Sequence, residues 1–395
     1  MISSWLSVPP TLPAISPRPA LRPLLKWAGG KRSEIPFLRT AYPKGARRVV
    51  EPFAGGAAVA FDWNASQSLL NDVSEGLVRF YKTMQDPPAR KAMIRCIRRL
   101  DDARKLIGHS VQSLTLPQLG KVFAAPGAWI EENSTAWLSG FPERLKKALL
   151  SDLLAQARDK TGKRIPALEK KHDKVFSASE RRAHLETSLQ AGIYTAMRRV
   201  YNGQVAHMVP EWEVAAWWFV RSLCYSGMFR YGKNGNFNVP YGGIGYNSRD
   251  FTSSIKQLSS PEMTDFFARA QICSMDFAAL FETNSYFGPS DFIFVDPPYD
   301  SAFSKYNAKE SFAEEDQRRL AQVLAHTQAP WMLVIKNTPF ILSLYQGRGL
   351  YRGVFGKTYQ ANFRNRHSRE VEHLVVANYP LPYVAEGEIG IVKEP

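Results

Sequence analysis

Six short apolar runs, each closed by polar residues, limit how this chain can fold: RRVVEPF (47–53), SLLND (68–72), AQICSMD (270–276), DFIFVDPP (291–298), WMLVIKN (331–337) and VEHLVVANY (371–379). Helical patterns separate most of them. Short buried segments alternating with helices predict a largely parallel sheet covered on both faces, an α/β fold. The second run ends at Asp72 and the third begins near Ala270, a gap too long for a single crossover. An inserted, mainly helical subdomain is therefore expected over 91–264. The sheet then draws on 24–90 and 265–381, leaving a flexible proline-rich tail at 1–23 and a second tail at 382–395.

Charge narrows the partners. The 395 residues carry 51 Lys and Arg against 36 Asp and Glu, a net +15 that attracts polyanions, nucleic acid foremost. Residues 140–200 hold fourteen basic and seven acidic residues, and read either as a solvated helical face or as a contact for nucleic-acid backbone. Cys96, Cys224 and Cys273 lie too far apart for a disulfide framework or a zinc pattern, so no metal is expected and a reducing bacterial cytoplasm fits. No apolar run reaches the roughly 20 residues that cross a bilayer, and the N-terminus lacks a signal pattern, so no membrane is expected.

In FIFVDPPYD (292–300) a buried strand runs into a carboxylate, two prolines and a tyrosine. The prolines fix two φ angles and remove two donors, leaving Asp296 and the Pro297 carbonyl as a rigid pair of acceptors, with Pro298 and Tyr299 following. Acceptors without donors point to a bound group carrying two N–H bonds. In VVEPFAGGAAV (49–59) a strand meets a glycine turn, where Gly55 and Gly56 allow a ligand close to the backbone or serve a tight turn alone. Asp72, seventeen residues past Gly55 at the end of the second strand, suits ribose hydroxyls. In SMDF (274–277) Asp276 accepts from an adenine amino group with Phe277 on the ring face, or simply caps a helix beside a buried ring. LLKWAGGK (24–31) offers Lys31 as a clamp for a free carboxylate or as a surface lysine. Adenine, ribose and carboxylate are provided for, phosphate is not, and GxxxxGK[ST] does not occur; S-adenosylmethionine fits.

LLKWAGGK, EPFAGGAA, ND at 71–72, FVRSLCYSGMFRYGKNGNFNVPYG (219–242) and DPPYD occur in the order of the Dam-type adenine-N6 DNA methyltransferases (D12 class, alpha group), which this chain resembles over most of 24–82, 217–246 and 270–379. Residues 100–210 match no known pattern. The resemblance implies a Rossmann-like S-adenosylmethionine-dependent methyltransferase sheet with an inserted target-recognition subdomain, acting on double-stranded DNA, alone or with a cognate restriction endonuclease. It places Trp27, Lys31, Glu51, Phe53, Asp72, Asp276 and Phe277 around the cofactor, Lys26 against DNA, and Asp296 to Tyr299 on a flipped-out adenine. In YSGMFRY (225–231) Tyr225 is expected to fill the disturbed base stack and Arg230 to read a guanine.

The chain departs from the pattern at three places. Ala57 stands where relatives continue with glycine or serine. Ser226 and Met228 stand where the Dam enzymes have asparagine and leucine, so their recognition site does not transfer. Rival readings are the same chemistry on RNA adenine or on cytosine N4, or a catalytically silent nucleic-acid-binding module.

Overall fold

A computed structural model describes residues 18–27, 29–283, 287–298, 312–347, 349–358, 370–382, 384 and 389–391. The strands in chain order are β1 (Arg48–Glu51), β2 (Gln67–Asn71), β3 (Ala270–Cys273), β4 (Asp291–Val295), β5 (Trp331–Lys336), β6 (Tyr351–Thr358), β7 (Glu370–Ala377) and β8 (Ile389–Ile391). They form one sheet, ordered β3-β2-β1-β4-β5-β7-β6-β8. The first five run parallel, while β7 is antiparallel to both β5 and β6. This is a Rossmann-like α/β architecture. Two strands have no counterpart among the six apolar runs. In YRGVFGKT of β6 glycines and charges interrupt the apolar pattern, and β8 pairs with β6 inside the stretch expected to be a C-terminal tail.

Alternation explains why the inner strands are apolar throughout. Val49, Leu70, Phe292, Phe294, Met332 and Val334 face one core, and their neighbours Val50, Leu69, Ile293, Val295, Leu333 and Ile335 face the other. A strand buried on both faces has no polar side to show. The helices are α1 (Ile35–Thr40), α2 (Ala58–Trp63) and α3 (Glu75–Gln85), then nine between α3 and β3: α4 (Pro87–Gln112), α5 (Leu116–Ala124), α6 (Pro126–Trp137), α7 (Glu143–Asp159), α8 (Ile165–His172), α9 (Ala178–Tyr201), α10 (Pro210–Leu223), α11 (Thr252–Leu258) and α12 (Pro261–Ala268). Later come α13 (Phe277–Thr283), α14 (Glu314–Ala325) and α15 (Pro339–Leu344), which supply Phe277, Leu280, Leu320, Leu324 and Ile341 to the second core.

The nine helices do not close a core of their own. One buried cluster runs from Val49, Phe292 and Met332 through Leu77 and Phe80 to Leu100, Leu149, Leu189 and Trp218. Local signals set the helix starts. Asp86 accepts from the Ala89 N–H ahead of Pro87 and Pro88, while Thr115 with Gln118 and Ser177 with Glu180 form capping boxes at α5 and α9. Part of the proline-rich tail is held too: the Leu21 N–H donates to Phe61 O, and Asn64 Nδ2 to Pro19 O. Among the described residues no helix is long and apolar enough to cross a membrane.

Candidate active site

The chain leaves β1 toward β2 on one side and returns from β3 to β4 on the other, so the crevice between the carboxyl ends of β1 and β4 is the switch point of the sheet. Open α/β sheets bind ligands at this place. Glu51 ends β1, Gly55 follows it, Asp72 follows β2, and Asp296 follows β4.

Lys31 comes to the same edge from far along the chain. Its ammonium lies 2.5 Å from Asp296 Oδ1 and also donates to the Gly29 carbonyl at 3.0 Å. Lys31 is 1 % exposed and Asp296 20 %. In this structure Lys31 pairs with the carboxylate of the DPP stretch. Glu51 lies behind this pair, accepting from the Ala60 N–H at 2.6 Å. The group that meets the start of α2 is therefore the chain's own carboxyl. Burial pushes the Glu51 carboxyl up to about 8; the Ala60 hydrogen bond opposes the rise, the Asp296 charge adds to it, and Lys31 opposes it. Of two carboxyls near one ammonium, the fully buried one holds the proton.

This makes the stability pH-dependent in a defined sense. Between the ordinary value of 4.5 and about 8 the unfolded chain ionises Glu51 while the folded protein keeps it protonated. The unfolded state then binds fewer protons, and stability falls as pH rises through that window by up to about 1.4 kcal/mol per pH unit from this group. Glu51→Gln is expected to remove that slope. Urea unfolding of both proteins at pH 5, 6, 7 and 8 measures it, and parallel curves would show that Glu51 does not titrate there.

Asp72 shapes the glycine turn from beneath. One oxygen accepts from the Gly55 N–H and the other from the Ser74 N–H, both at 2.9 Å, and the buried Tyr81 hydroxyl donates to Gly55 O at 2.7 Å. Gly55 has φ +46°, and a Cβ there would come within 2.7 Å of the Trp27 ring, so glycine is required on both counts. Ala57 also lies in the left-handed region at φ 49°, a conformation that glycine adopts without a Cβ penalty. Phe53 is half-buried and packs on Phe277 and Phe312 at 5.4 Å.

Asp276 and Phe277 do not face the same space. Phe277 is 3 % exposed within the second core. Asp276 Oδ1 caps α13 through the Ala278 N–H and pairs with Arg319 at 2.7 Å, whose guanidinium lies over the Phe277 ring. Asp276 thus acts as a helix cap and ion-pair partner in this structure. Pro297 is buried and Pro298 exposed, with the Pro298 carbonyl accepting from Gln317 at 3.4 Å. Tyr299 lies outside the described residues.

The YSGMFRY stretch forms the first arm of a hairpin closed at Gly232–Gly235, with bridges Cys224↔Tyr241 and Tyr231↔Phe237. The Asn234-Gly235 pair signals this turn. Ser226 has φ 53°, a conformation in which asparagine is enriched and serine is strained. Ser226, Met228 and Arg230 are exposed, Tyr225 half-buried, and Lys26 exposed. Arg230 Nε donates to Asn238 Oδ1 at 3.0 Å, which fixes the plane of its fork.

The hairpin rests on α9. The Val239 carbonyl accepts from the Tyr194 hydroxyl at 2.8 Å and from Arg198 at 3.1 Å, and Asn202 exchanges hydrogen bonds with the Phe237 backbone at 2.9 and 3.0 Å. Below it, the buried Arg104 of α4 bonds Gln190 and the carbonyls of Tyr246 and Arg249. In the basic stretch Lys170 and Lys171 are exposed. Arg181 instead pairs with Glu169 at 3.0 Å, and Arg182 donates to Leu114 O at 2.6 Å. Part of the stretch's charge therefore holds helices together.

A family model described as D12 class N6 adenine-specific DNA methyltransferase matches residues 27–112 and 141–355, which include each piece of this edge. The chain belongs to this family. It is 35% identical over 169 residues to the Type II methyltransferase M.CviBI of Paramecium bursaria Chlorella virus NC1A, covering 41% of this chain and 59% of that protein. It is 26% identical over 339 residues to the DNA N-6-adenine-methyltransferase of Escherichia phage P1, covering 83% of this chain and 31% of that one. With the Type II methyltransferase M1.LlaDCHI of Lactococcus lactis subsp. cremoris it shares 23% over 368 residues, 91% of this chain and 96% of that protein.

Sequence reasoning missed the residues of this D12 chain that act through others: Tyr81 under Gly55, Arg221 against Trp27, and Tyr194, Arg198 and Asn202 behind the hairpin. The last three recur every four residues, one helix face, and that spacing was a readable signal. Nothing local announces Tyr81 or Arg221.

Proposed function

We propose that this chain is a site-specific DNA adenine-N6 methyltransferase that takes its methyl group from S-adenosylmethionine. The observation that carries the reading is the meeting of Lys31 and Asp296, 265 residues apart, at the switch point beside Gly55 and Glu51. The family implies a methyl donor, and the residues here fit this one. Asp72 stands at the carboxyl end of β2, where acids of such folds meet ribose hydroxyls, half-buried Phe53 offers an apolar face, and Lys31 offers a cation. Trp27, Gly55 and Glu51 line the same side, while Asp276 and Phe277 border it. When bound, S-adenosylmethionine supplies an electrophilic methyl group.

The chain's own residues prepare the nucleophile. Adenine N6 is weak because its lone pair is delocalised into the ring. Asp296 and the Pro297 carbonyl accept the two N6 hydrogens, which lets the nitrogen become more tetrahedral and stabilises the positive charge developing on it. One N6 proton leaves after transfer. Lys31 orients Asp296 through their ion pair, with Glu51 buried behind them. Pro298 stiffens the exit from β4 and Tyr299 stacks on the base, which must first leave the duplex. The hairpin with Tyr225, Ser226, Met228 and Arg230 enters a groove beside Lys26, on the inserted helices as a target-recognition unit. Relatives named Type II methyltransferases favour a restriction endonuclease as functional partner, in a bacterial cytoplasm.

The test is to incubate the protein with labelled S-adenosylmethionine and duplex DNA, single-stranded DNA or RNA, and to identify the modified nucleoside. N6-methyladenine in duplex DNA is expected. N4-methylcytosine, label confined to RNA, or no transfer would overturn the reading. Arg230→Ala is further expected to cost about 1–3 kcal/mol of discrimination at one G·C pair. Methylation profiling of a randomised duplex library reads this directly, and an unchanged preference at every position would show that sequence is read elsewhere.

A further inference from the structure

Arg221, in the last turn of α10, is the most unusual charge in the described molecule. It is 6 % exposed, and its Nε and Nη1 have no hydrogen-bond partner among the described residues. Nη2 makes one long bond, 3.4 Å to the Tyr231 hydroxyl. No carboxylate among the described residues forms an ion pair with it. Three rings surround it instead: its guanidinium carbon lies 4.4 Å from the centroid of Trp27, 4.6 Å from Trp217 and 4.0 Å from Phe229. Taking a cation out of water without a counter-ion costs several kcal/mol, which cation–π contacts only partly offset. An apolar side chain of the same length would fill this space at lower cost, so stability does not explain an arginine here.

Trp217 stands one turn before Arg221 on α10, and the other two rings come from separate parts of the molecule. Trp27 covers Gly55, where an added Cβ would meet its ring at 2.7 Å. Trp217 lies against α3 through Gly76 and stacks on Phe80. Phe229 sits between Met228 and Arg230 in the exposed arm of the hairpin, 5.8 Å from Trp27. The guanidinium is thus the joint between the hairpin and the glycine turn that Asp72 holds at Gly55. A planar cation can slide between rings while keeping contact with each, whereas interdigitated aliphatic groups resist such movement.

We propose that Arg221 is a positioning residue that couples DNA engagement by the hairpin to the conformation of the glycine turn at Gly55. Displacement of Phe229 by bound DNA shifts the guanidinium packed on it and, with it, Trp27 and the backbone that this ring covers. The proposal rests on the methyltransferase reading above. Coupling of two binding sites is reciprocal, so it is measurable from either ligand.

The test uses the full chain, S-adenosylhomocysteine, which has no methyl to transfer, and a duplex carrying a methylation site mapped for the wild type. Calorimetry gives S-adenosylhomocysteine affinity with and without duplex. In the wild type the duplex is expected to tighten binding at least about fivefold. In Arg221→Met the factor is expected to fall below about twofold, with S-adenosylhomocysteine alone binding within about threefold of wild type, and Arg221→Lys is expected to recover part of the coupling. A simple packing defect would weaken both ligands without changing the ratio. Equal coupling in wild type and Arg221→Met, or no coupling in the wild type, overturns the proposal. If Arg221→Met does not fold, Phe229→Leu, which removes the hairpin ring from the joint, is read by the same criteria. Failure of the wild type to bind S-adenosylhomocysteine at all would instead strike the methyltransferase reading.

Discussion

Asp296→Asn is expected to lower the single-turnover rate of methyl transfer at least about a hundredfold, the usual loss when one preorganised transition-state contact is removed. DNA affinity should change little, because phosphate contacts lie elsewhere on the chain. The structure adds a second effect. Asp296 is the ion-pair partner of Lys31, which is 1 % exposed, so the variant should also lose ~2 kcal/mol of stability, a typical value for a hydrogen bond to a charged group. Lys31→Met combined with Asp296→Asn removes the buried ammonium as well. That double variant is expected to regain most of the stability and none of the rate. Rapid-quench kinetics, filter binding and urea melts measured together separate the two roles, and a variant keeping more than about a tenth of the rate would sink the assignment of Asp296.

Gly192→Val is expected to destabilise the protein by at least about 3 kcal/mol, the upper end of overpacking costs. A Cβ at Gly192 would lie 2.7 Å from Leu153 Cα, 2.9 Å from Leu153 N and 3.1 Å from Asp152 O. These are backbone atoms of α7, so no rotamer change relieves the clash and the two helices must separate. The effect should reach the hairpin, because α9 carries Tyr194 and Arg198 and is capped by Asn202. DNA affinity is therefore expected to drop more than S-adenosylhomocysteine affinity. Gly120→Ala in α5 is the control: nothing lies within 4 Å of its added Cβ, so helix propensity alone acts and stability rises by about 0.5–1 kcal/mol. Equal effects of the two substitutions on the urea midpoint would show that α7 and α9 are not in close contact.

Much of the molecule was legible because its signals are local. The inner strands announced themselves through two-sided burial, and Asn234-Gly235 marked its turn through backbone sterics. Gly55 was marked by the approach it permits, although what approaches it in the structure is the ring of Trp27. β6 and β8 were not legible, since glycines and charges interrupt the apolar pattern of the one and the other spans only Ile389–Ile391. For Asp276 the sequence left a choice between ligand and helix cap, and Arg319, 43 residues away, satisfies the carboxylate in the second role.

The sequence by itself determined six of the eight described strands, where glycine is required, and that a carboxylate and two prolines close β4. Each follows from sterics or burial acting on a few neighbouring residues. Only the tertiary structure decided that β1 lies between β2 and β4, because an apolar strand is satisfied by burial whichever neighbour provides it. That choice sets Asp296 beside Glu51 and brings Lys31 onto it, and so decides which carboxyl holds a proton and which holds the ammonium. It also decided that Arg221 lies between Trp27 and Phe229. Trp217 lies one turn back on the same helix, but Trp27 and Phe229 reach the charge only once their segments have packed on α10, so the full cage has no local pattern.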